Sequence, residues 1–251
     1  MRKVDVAVVG SGTAAQNVVP RCAQAGLRVA VVDRLPYGGT CAQRGCDPKK
    51  VLLAAAEAVS RARGLEGQGL RGGPAVEWPA LIARKRSFTE PVPERIESWL
   101  GDAGAETLHG VARLRDAHTL EVDGEVYEAA DLVIAAGSRP VELDIPGEEL
   151  VTTSAQFMEL DELPPRIVFV GGGYISFEFA WLARMAGAEV TLLHRSRHVL
   201  KGFDGQLADQ LVERYRSLGI DVHTDTPVRA VERRDNGLLV THECGDVAAD
   251  L

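Results

Sequence analysis

Cysteine is scarce in this chain, with four in 251 residues, and a disulfide framework of the kind that holds small secreted domains together is excluded. Positive charge is also short. The 28 basic against 36 acidic residues leave a formal charge of −8, so there is no electrostatic footprint for nucleic acid. No apolar run approaches the roughly 20 residues of a membrane-spanning helix. The N-terminus passes from Lys3 straight into an apolar strand ending in glycine, without the short apolar region and cleavage site of a secretory signal. The six histidines are scattered, with no spacing that suggests a metal site. These absences predict a soluble cytoplasmic protein with no nucleic-acid or membrane partner. The 45% hydrophobic content is ample for a core, and the length suits one to two domains.

Two of the four cysteines do cluster, in Gly38-Gly39-Thr40-Cys41-Ala42-Gln43-Arg44-Gly45-Cys46-Asp47-Pro48-Lys49-Lys50. A bond across so small a loop removes little unfolded-state entropy, so the pair reads as a redox-active dithiol rather than a structural bridge. Asp47 and Pro48 resemble the N-cap and first position of a helix over Val51–Arg63. Its dipole, with Lys49 and Lys50 nearby, is expected to favour a thiolate. Cys22 and Cys244 stand alone and read as small buried hydrophobes.

The start of the chain carries a dinucleotide fingerprint. An apolar strand, Val4–Val9, leads into Gly10-Ser11-Gly12-Thr13-Ala14-Ala15, then a helix running to Ala25-Gly26, then a second strand, Leu27–Val32, ending at Asp33. Gly10 permits the tight turn, Gly12 lets backbone approach a pyrophosphate, and Ala15 lets helix and strand pack closely. The helix start offers unpaired N–H donors to that phosphate, and Asp33 is placed to accept from a ribose hydroxyl. Pro20 should kink this first helix.

Helices are predicted over Trp78–Arg86 and Pro93–Leu100. Strands follow over Thr107–Leu114, Thr119–Val122 and Val126–Ala129, forming a small meander with a turn at Asp123-Gly124. A further strand, Leu132–Ala136, ends at Gly137-Ser138-Arg139-Pro140 and closes the first domain. After a short helix within Val151–Leu163, and a boundary signal at Pro164-Pro165, the pattern repeats. Ile167–Val170, Gly171-Gly172-Gly173-Tyr174-Ile175-Ser176, a helix to Ala186 and Val190–Leu193 reproduce strand, turn, helix and strand. Two dinucleotides are implied. Asp33 stands 21 positions after Gly12; the same count from Gly173 reaches His194, followed by Arg195-Ser196-Arg197-His198. With no carboxylate for a ribose 2′-hydroxyl and arginines suited to a 2′-phosphate, the second nucleotide should be NADP(H). A helix over Asp204–Leu218, a strand Ile220–His223 and a hairpin about Asn236-Gly237 complete the chain.

Gly10-x-Gly12-x-x-Ala15, Gly39-Thr40-Cys41 through Cys46-x-Pro48-Lys49-Lys50, Ala136-Gly137-Ser138-Arg139-Pro140 and Gly171-x-Gly173-Tyr174-Ile175-x-x-Glu178 together resemble the FAD-dependent pyridine nucleotide-disulfide oxidoreductases. That group includes glutathione reductase, lipoamide dehydrogenase and mercuric reductase. The resemblance implies an α/β fold of two Rossmann-like domains, 1–150 for FAD and 151–251 for NAD(P)H, each with a parallel sheet, helices and a small β-meander. FAD would be held by Gly10, Gly12, Thr13, Ala14, Ala15, Asp33, Gly39, Thr40, Cys41, Lys49, Lys50, Gly110, Ala112, Ala136 and Gly137. NADP(H) would be held by Gly171, Gly172, Gly173, Tyr174, Ile175, Glu178, Arg195 and Lys201, with Tyr174 as a lid over the nicotinamide. Cys46 would face the flavin, and Cys41 would attack a small disulfide substrate. Lys49 would pair with Glu178 beside the flavin, the alternative being Lys50.

The resemblance implies an NADPH-dependent flavoprotein disulfide reductase of glutathione-reductase type serving cell redox homeostasis. Mercuric reductase, a lipoamide-type dehydrogenase or a non-catalytic nucleotide-binding fragment are the alternatives. Asp47 departs from an apolar family position and Ala136 from a frequent threonine; Asp47 is expected to oppose a thiolate at Cys46. The family's further FAD-contacting segment and its dimerisation domain, with a His-Glu acid/base pair, cannot be located. The chain therefore reads as the N-terminal portion of a homodimeric enzyme, with Leu251 inside a strand and full disulfide reduction not expected of it alone.

Overall fold

A computed structural model describes all residues, 1–251. The chain forms two compact units, residues 1–49 with 85–139, and residues 50–84 with 140–251.

The first unit opens with β1 (Arg2–Val9), α1 (Thr13–Gln24), β2 (Val29–Asp33), α2 (Gly39–Arg44) and the first turn of α3 (Cys46–Gly64). The chain leaves this unit from Lys50 to Arg84, returns within α4 (Trp78–Thr89), and continues through α5 (Val92–Asp102), β3 (Ala105–His109), β4 (Ala112–Leu114), β5 (Thr119–Val122) and β6 (Glu125–Ile134). The strands make one sheet in the order β3-β2-β1-β6-β5-β4. β1 is central and parallel to both β2 and β6, which is why it reads as a nearly continuous apolar run. Alternate side chains separate into two cores. Val6, Val8, Val29 and Val31 join Ala15, Val19, Tyr37 and Leu100, while Ala7, Ala30 and Val32 join Leu120, Val122 and Tyr127. Pro20 lies inside the uninterrupted span of α1.

Two strand expectations are corrected. The predicted strand Thr107–Leu114 is two strands on opposite edges of the sheet, because Gly110 takes φ +136° between them and donates its N–H to the Asp33 carbonyl at 3.0 Å. Val126–Ala129 and Leu132–Ala136 are instead one strand, β6, antiparallel to β5 and parallel to β1. The meander is thus part of the nucleotide-type sheet. Its tight turn is the one predicted, with positive φ at both Asp123 and Gly124, the geometry that matches strand twist.

The second unit holds α6 (Ser154–Phe157), β7 (Arg166–Val170), α7 (Tyr174–Met185), β8 (Glu189–Leu193), α8 (Gly205–Ser217), β9 (Ile220–His223), β10 (Val228–Arg234), β11 (Gly237–His242) and β12 (Gly245–Ala249). β7, β8 and β9 form a parallel sheet and β10, β11 and β12 an antiparallel one. α7 is apolar nearly all round, with Phe177, Phe179, Ala180, Leu182, Ala183 and Met185 buried, as a helix enclosed by its own unit requires. Residues 50–84 belong here because their apolar side chains do. Leu52, Ala56, Trp78 and Ile82 pack in one core with Phe157, Phe179 and Leu182, and the Trp78 indole N–H donates to the Leu160 carbonyl at 2.8 Å. The compact units therefore divide at 139/140, with an excursion at 50–84, where the sequence suggested 150/151. Asp204, expected as the first residue of this helix, is instead the cap of α8, accepting from the Leu207 N–H at 3.0 Å. The strand expected to contain Leu251 is β12, which ends at Ala249, so Leu251 lies beyond it; the Asp250 N–H donates to the Arg166 carbonyl at 2.8 Å and the Val168 N–H to that of Leu251 at 2.9 Å.

Arginines close several helix ends in this unit. Arg184 Nε donates to the Leu218 carbonyl at 2.9 Å and Arg63 to that of Met185 at 3.3 Å, the favourable placement for cations. A surface cavity of about 550 Å³ lined by Arg63, Arg184, Arg214, Ser60 and Ser217 lies among them.

Candidate functional site

In the first unit the glycine turn is held by a buried serine. Ser11 is fully buried. Its N–H and hydroxyl donate to Asp33 Oδ2 at 2.9 and 2.6 Å, and its Oγ accepts the Gly38 N–H at 3.1 Å. Gln16 donates to the carbonyls of Ser11 and Gly38 at 3.1 and 3.3 Å. Asp33 Oδ1 accepts the Leu35 N–H at 2.9 Å. An ionised carboxylate has about four acceptor sites, so Asp33 fastens the turn and retains capacity for a hydroxyl. Ser11, Gln16 and Gly38 were missed from sequence, since a polar residue between two turn glycines does not reveal whether it faces water or the carboxylate at the next strand's end.

The same turn carries the dithiol segment. A Cβ on Gly39, which has φ +71°, would stand 2.4 Å from Gly12 Cα, and one on Gly10, at φ +105°, would stand 2.3 Å from the Ala135 carbonyl oxygen and 3.2 Å from Ala136 Cα. Gly10, Gly12, Asp33, Gly39, Gly110 and Ala136 are thereby brought together around one end of the sheet. α1 begins at Thr13 with no side-chain cap on its N–H groups, and Thr13, Ala14 and Thr40 are exposed. Gly137 is exposed as well. Ala112 lies inside β4, paired with Val122, rather than in the Gly110 turn. The glycine cradle, the uncapped helix start and the acid at the strand end fit a dinucleotide pyrophosphate and its ribose.

Cys41 sits inside α2, an unexpected short helix, and Cys46 is the first residue of α3. Helix α3 thus starts one residue earlier than the predicted cap at Asp47, after Gly45. Both thiols are free, Cys41 half-buried and Cys46 exposed. Their side chains interact, and this contact, followed by burial, the neighbouring Cys46 and Asp47, raises the Cys41 pKa above the ordinary thiol value. The lowered thiol pKa expected from the helix start is therefore corrected for Cys41, which lies before that helix and within the field of two acidic neighbours. Cys22 packs, half-buried, in the core containing Val19 and Leu100. Cys244 is exposed in the β11–β12 turn, contrary to the buried role expected of it.

In the second unit, Gly171 takes φ +113° and α7 starts after Gly173, again with no side-chain cap. A Cβ on Gly173 would meet only open space. Tyr174 and Ile175 are exposed at this helix start. The basic loop after β8 folds onto the turn. The Leu200 N–H donates to the Gly172 carbonyl at 2.8 Å, the Gly172 N–H donates to His194 Nδ1 at 3.0 Å, and His194 Nε2 meets the His198 carbonyl at 3.1 Å. Burial, then Lys201 and Arg195, lower the His194 pKa, so both cations lie within electrostatic reach of it. Arg195 and Lys201, the expected 2′-phosphate pair, are exposed. Farther along α7, Glu178 Oε1 accepts from Lys50 Nζ at 2.5 Å. This is the pairing given as the alternative for Lys50, and Lys49 is only 7% exposed.

A chain with two glycine turns at helix starts, one of them packed against a dithiol segment, is of the dinucleotide-binding, dithiol-bearing α/β class. It belongs to the pyridine nucleotide-disulphide oxidoreductase family, whose pattern matches residues 4–251. It is 33% identical over 243 residues to a glutathione reductase of Burkholderia cepacia, covering 96% of this chain and 54% of that protein. To a mercuric reductase of Streptomyces lividans it is 37% identical over 251 residues, covering 94% and 52%. The structure of a Cu(II) complex of the HOCl-induced flavoprotein disulfide reductase RclA from Escherichia coli superposes with a TM-score of 0.87 at 26% identity, covering all of this chain and 55% of that one. The chain thus spans about half the length of these relatives.

Proposed function

We propose that the chain forms the nucleotide-binding and dithiol-bearing part of an NADPH-dependent disulfide reductase. FAD would lie at the first turn and NADP(H) at the second, and a small disulfide would meet Cys41. The observation that carries this reading is the contact of Gly39 with Gly12, which fastens the Cys41–Cys46 segment to the phosphate end of the first nucleotide site. When bound, FAD would supply the two-electron relay between nicotinamide and dithiol. The chain's own residues orient and bind. Ser11 and Asp33 shape the first turn, while Arg195 and Lys201 present positive charge at the second strand end, where the ordinary acid is missing. Cys41 is the attacking thiol and Cys46 the one that faces the flavin, with Lys50 and Glu178 as the charge pair on α3 and α7.

Anaerobic NADPH titration of the FAD-reconstituted protein tests the reading. The flavin band should bleach, and a long-wavelength band should appear in the wild type and be absent from Cys46→Ser. A chain that takes up no flavin, or whose flavin NADPH leaves oxidised, would make it a nucleotide-binding fragment instead. NADPH should also bind more tightly than NADH, and Arg195→Ala should narrow that gap.

A further inference from the structure

Asp33 and His194 hold the same place in the two halves of the chain. Each stands 21 positions after a turn glycine, and each accepts the N–H of the turn's middle residue, Asp33 from Ser11 at 2.9 Å and His194 from Gly172 at 3.0 Å. Their chemistry differs. An imidazole that accepts at Nδ1 carries its proton on Nε2, and that N–H donates to the His198 carbonyl at 3.1 Å. Both ring nitrogens are consumed inside the loop, and no acceptor is left for a ribose hydroxyl.

The ring is also confined. A Cβ on Gly172 would stand 2.7 Å from His194 Cγ and 2.9 Å from Val199 Cγ1. The His194 N–H donates to the His223 carbonyl and its own carbonyl accepts from the Thr226 N–H, both at 2.8 Å. Of the charges around the ring, Lys201 and Arg195 oppose a positive imidazole and Asp225, beyond β9, favours it. The His223 ring, at the end of β9, is paired with Asp221 at 2.7 Å.

We propose that neutral His194 is a positioning residue for the nucleotide: it holds the Gly172 peptide, and its protonation releases that peptide, so that binding at the second turn weakens as pH falls. A protonated ring presents N–H at Nδ1 to the N–H of Gly172, donor against donor. The Gly172 peptide must then turn away, and it lies one residue before the glycine at the start of α7, whose first-turn N–H groups, with no side-chain cap, would face the phosphates. The inference rests on the reading that this turn binds a nicotinamide nucleotide.

The test is calorimetric titration of the full chain with NAD⁺ and NADP⁺ between about pH 7.5 and about pH 5.5. NAD⁺ is the decisive probe, because a 2′-phosphate titrates in this window and its absence leaves the loop as the variable. Wild type should lose about fivefold in NAD⁺ affinity, the worth of one neutral hydrogen bond. In His194→Asn, Oδ1 replaces Nδ1 as a non-titrating acceptor, so affinity at the upper pH should be kept and the profile flattened. His194→Ala should bind weakly throughout. Nitrogen NMR of the wild-type ring should report the Nε2–H tautomer at the upper pH. Equal pH profiles for wild type and His194→Asn, or a proton on Nδ1, would overturn the inference. A wild type that binds neither nucleotide at the upper pH would instead overturn the reading of the turn.

Discussion

Replacing Gly39 with alanine tests whether the dithiol segment is fastened to the nucleotide turn by close approach. Two terms apply. Gly39 has φ +71°, and an L-residue in the left-handed region costs roughly 1–2 kcal/mol. The new Cβ would also stand 2.4 Å from Gly12 Cα, more than an ångström inside ordinary carbon contact, and backbone cannot rotate away as a side chain can. Overpacking of this kind costs about 1–3 kcal/mol. Gly26→Ala is the control, since Gly26 has φ +83° with nothing within 4 Å of its added Cβ, so only the conformational cost applies. The gain from restricting the unfolded chain is common to both and cancels. Gly39→Ala should therefore be less stable than Gly26→Ala by about 1–3 kcal/mol. Urea unfolding read by hydrogen exchange at the β1 and β2 amides measures this within the unit concerned. Two variants equal to within about 0.5 kcal/mol would show that α2 yields freely and that the contact does not position the cysteines.

Ser11→Ala should cost about 2–4 kcal/mol in the same assay, because it removes a hydrogen bond to an ionised carboxylate and leaves the Gly38 N–H buried without its acceptor; a loss below about 1 kcal/mol would refute this. Cys46→Ala should move the pH midpoint of Cys41 alkylation, followed by peptide mass spectrometry, downward, since the Cys46 side chain is the largest cause of the raised Cys41 pKa. A midpoint that stays or rises would count against that assignment. Asp5, gripped by the Arg28 side chain and then by its backbone N–H, has its pKa lowered from 3.8 to about 2. Its contribution to stability is complete above the unfolded value and lost as pH falls through the folded one. The stability gap between wild type and Asp5→Asn should close between those two pH values, and a gap that persists at the lower end would contradict it.

The parts of the fold legible in sequence were those in which a local rule and the tertiary environment agree. β1, the α1 start, the Asp123-Gly124 turn and the α8 helix each follow from residues in place. The failures came where a non-local partner decided. Nothing local separates β3 from β4, since the break at Gly110 is set by a backbone bond to Asp33 across the sheet edge. Residues 50–84 read as a helix and a connection in the first domain, yet their leucines and Trp78 are buried with α6 and α7. A helix pattern states which face is apolar but not which core receives it. The site was legible in the same measure. Both glycine turns, Asp33 and the cysteine pair were visible by spacing, whereas the role of Ser11 depends on which way its side chain points.

The two halves solve one structural problem with different chemistry, and this bears on what each can bind. In both turns of this chain the middle residue's N–H points at the side chain at the end of the next strand, and a buried N–H needs an acceptor. A carboxylate there serves the turn and still has lone pairs for a ribose, as Asp33 does. His194 serves the turn with its only acceptor and donates its Nε2–H to the His198 carbonyl, so under the proposed function selection of the sugar would pass to Arg195 and Lys201. The missing acid in the second half is then a substitution with its own structural duty, and restoring a carboxylate by His194→Asp should do two things together. It should keep the Gly172 peptide in place, and it should raise NAD⁺ affinity relative to NADP⁺. A variant that keeps the turn but leaves the ratio unchanged would place nucleotide choice wholly in the basic loop.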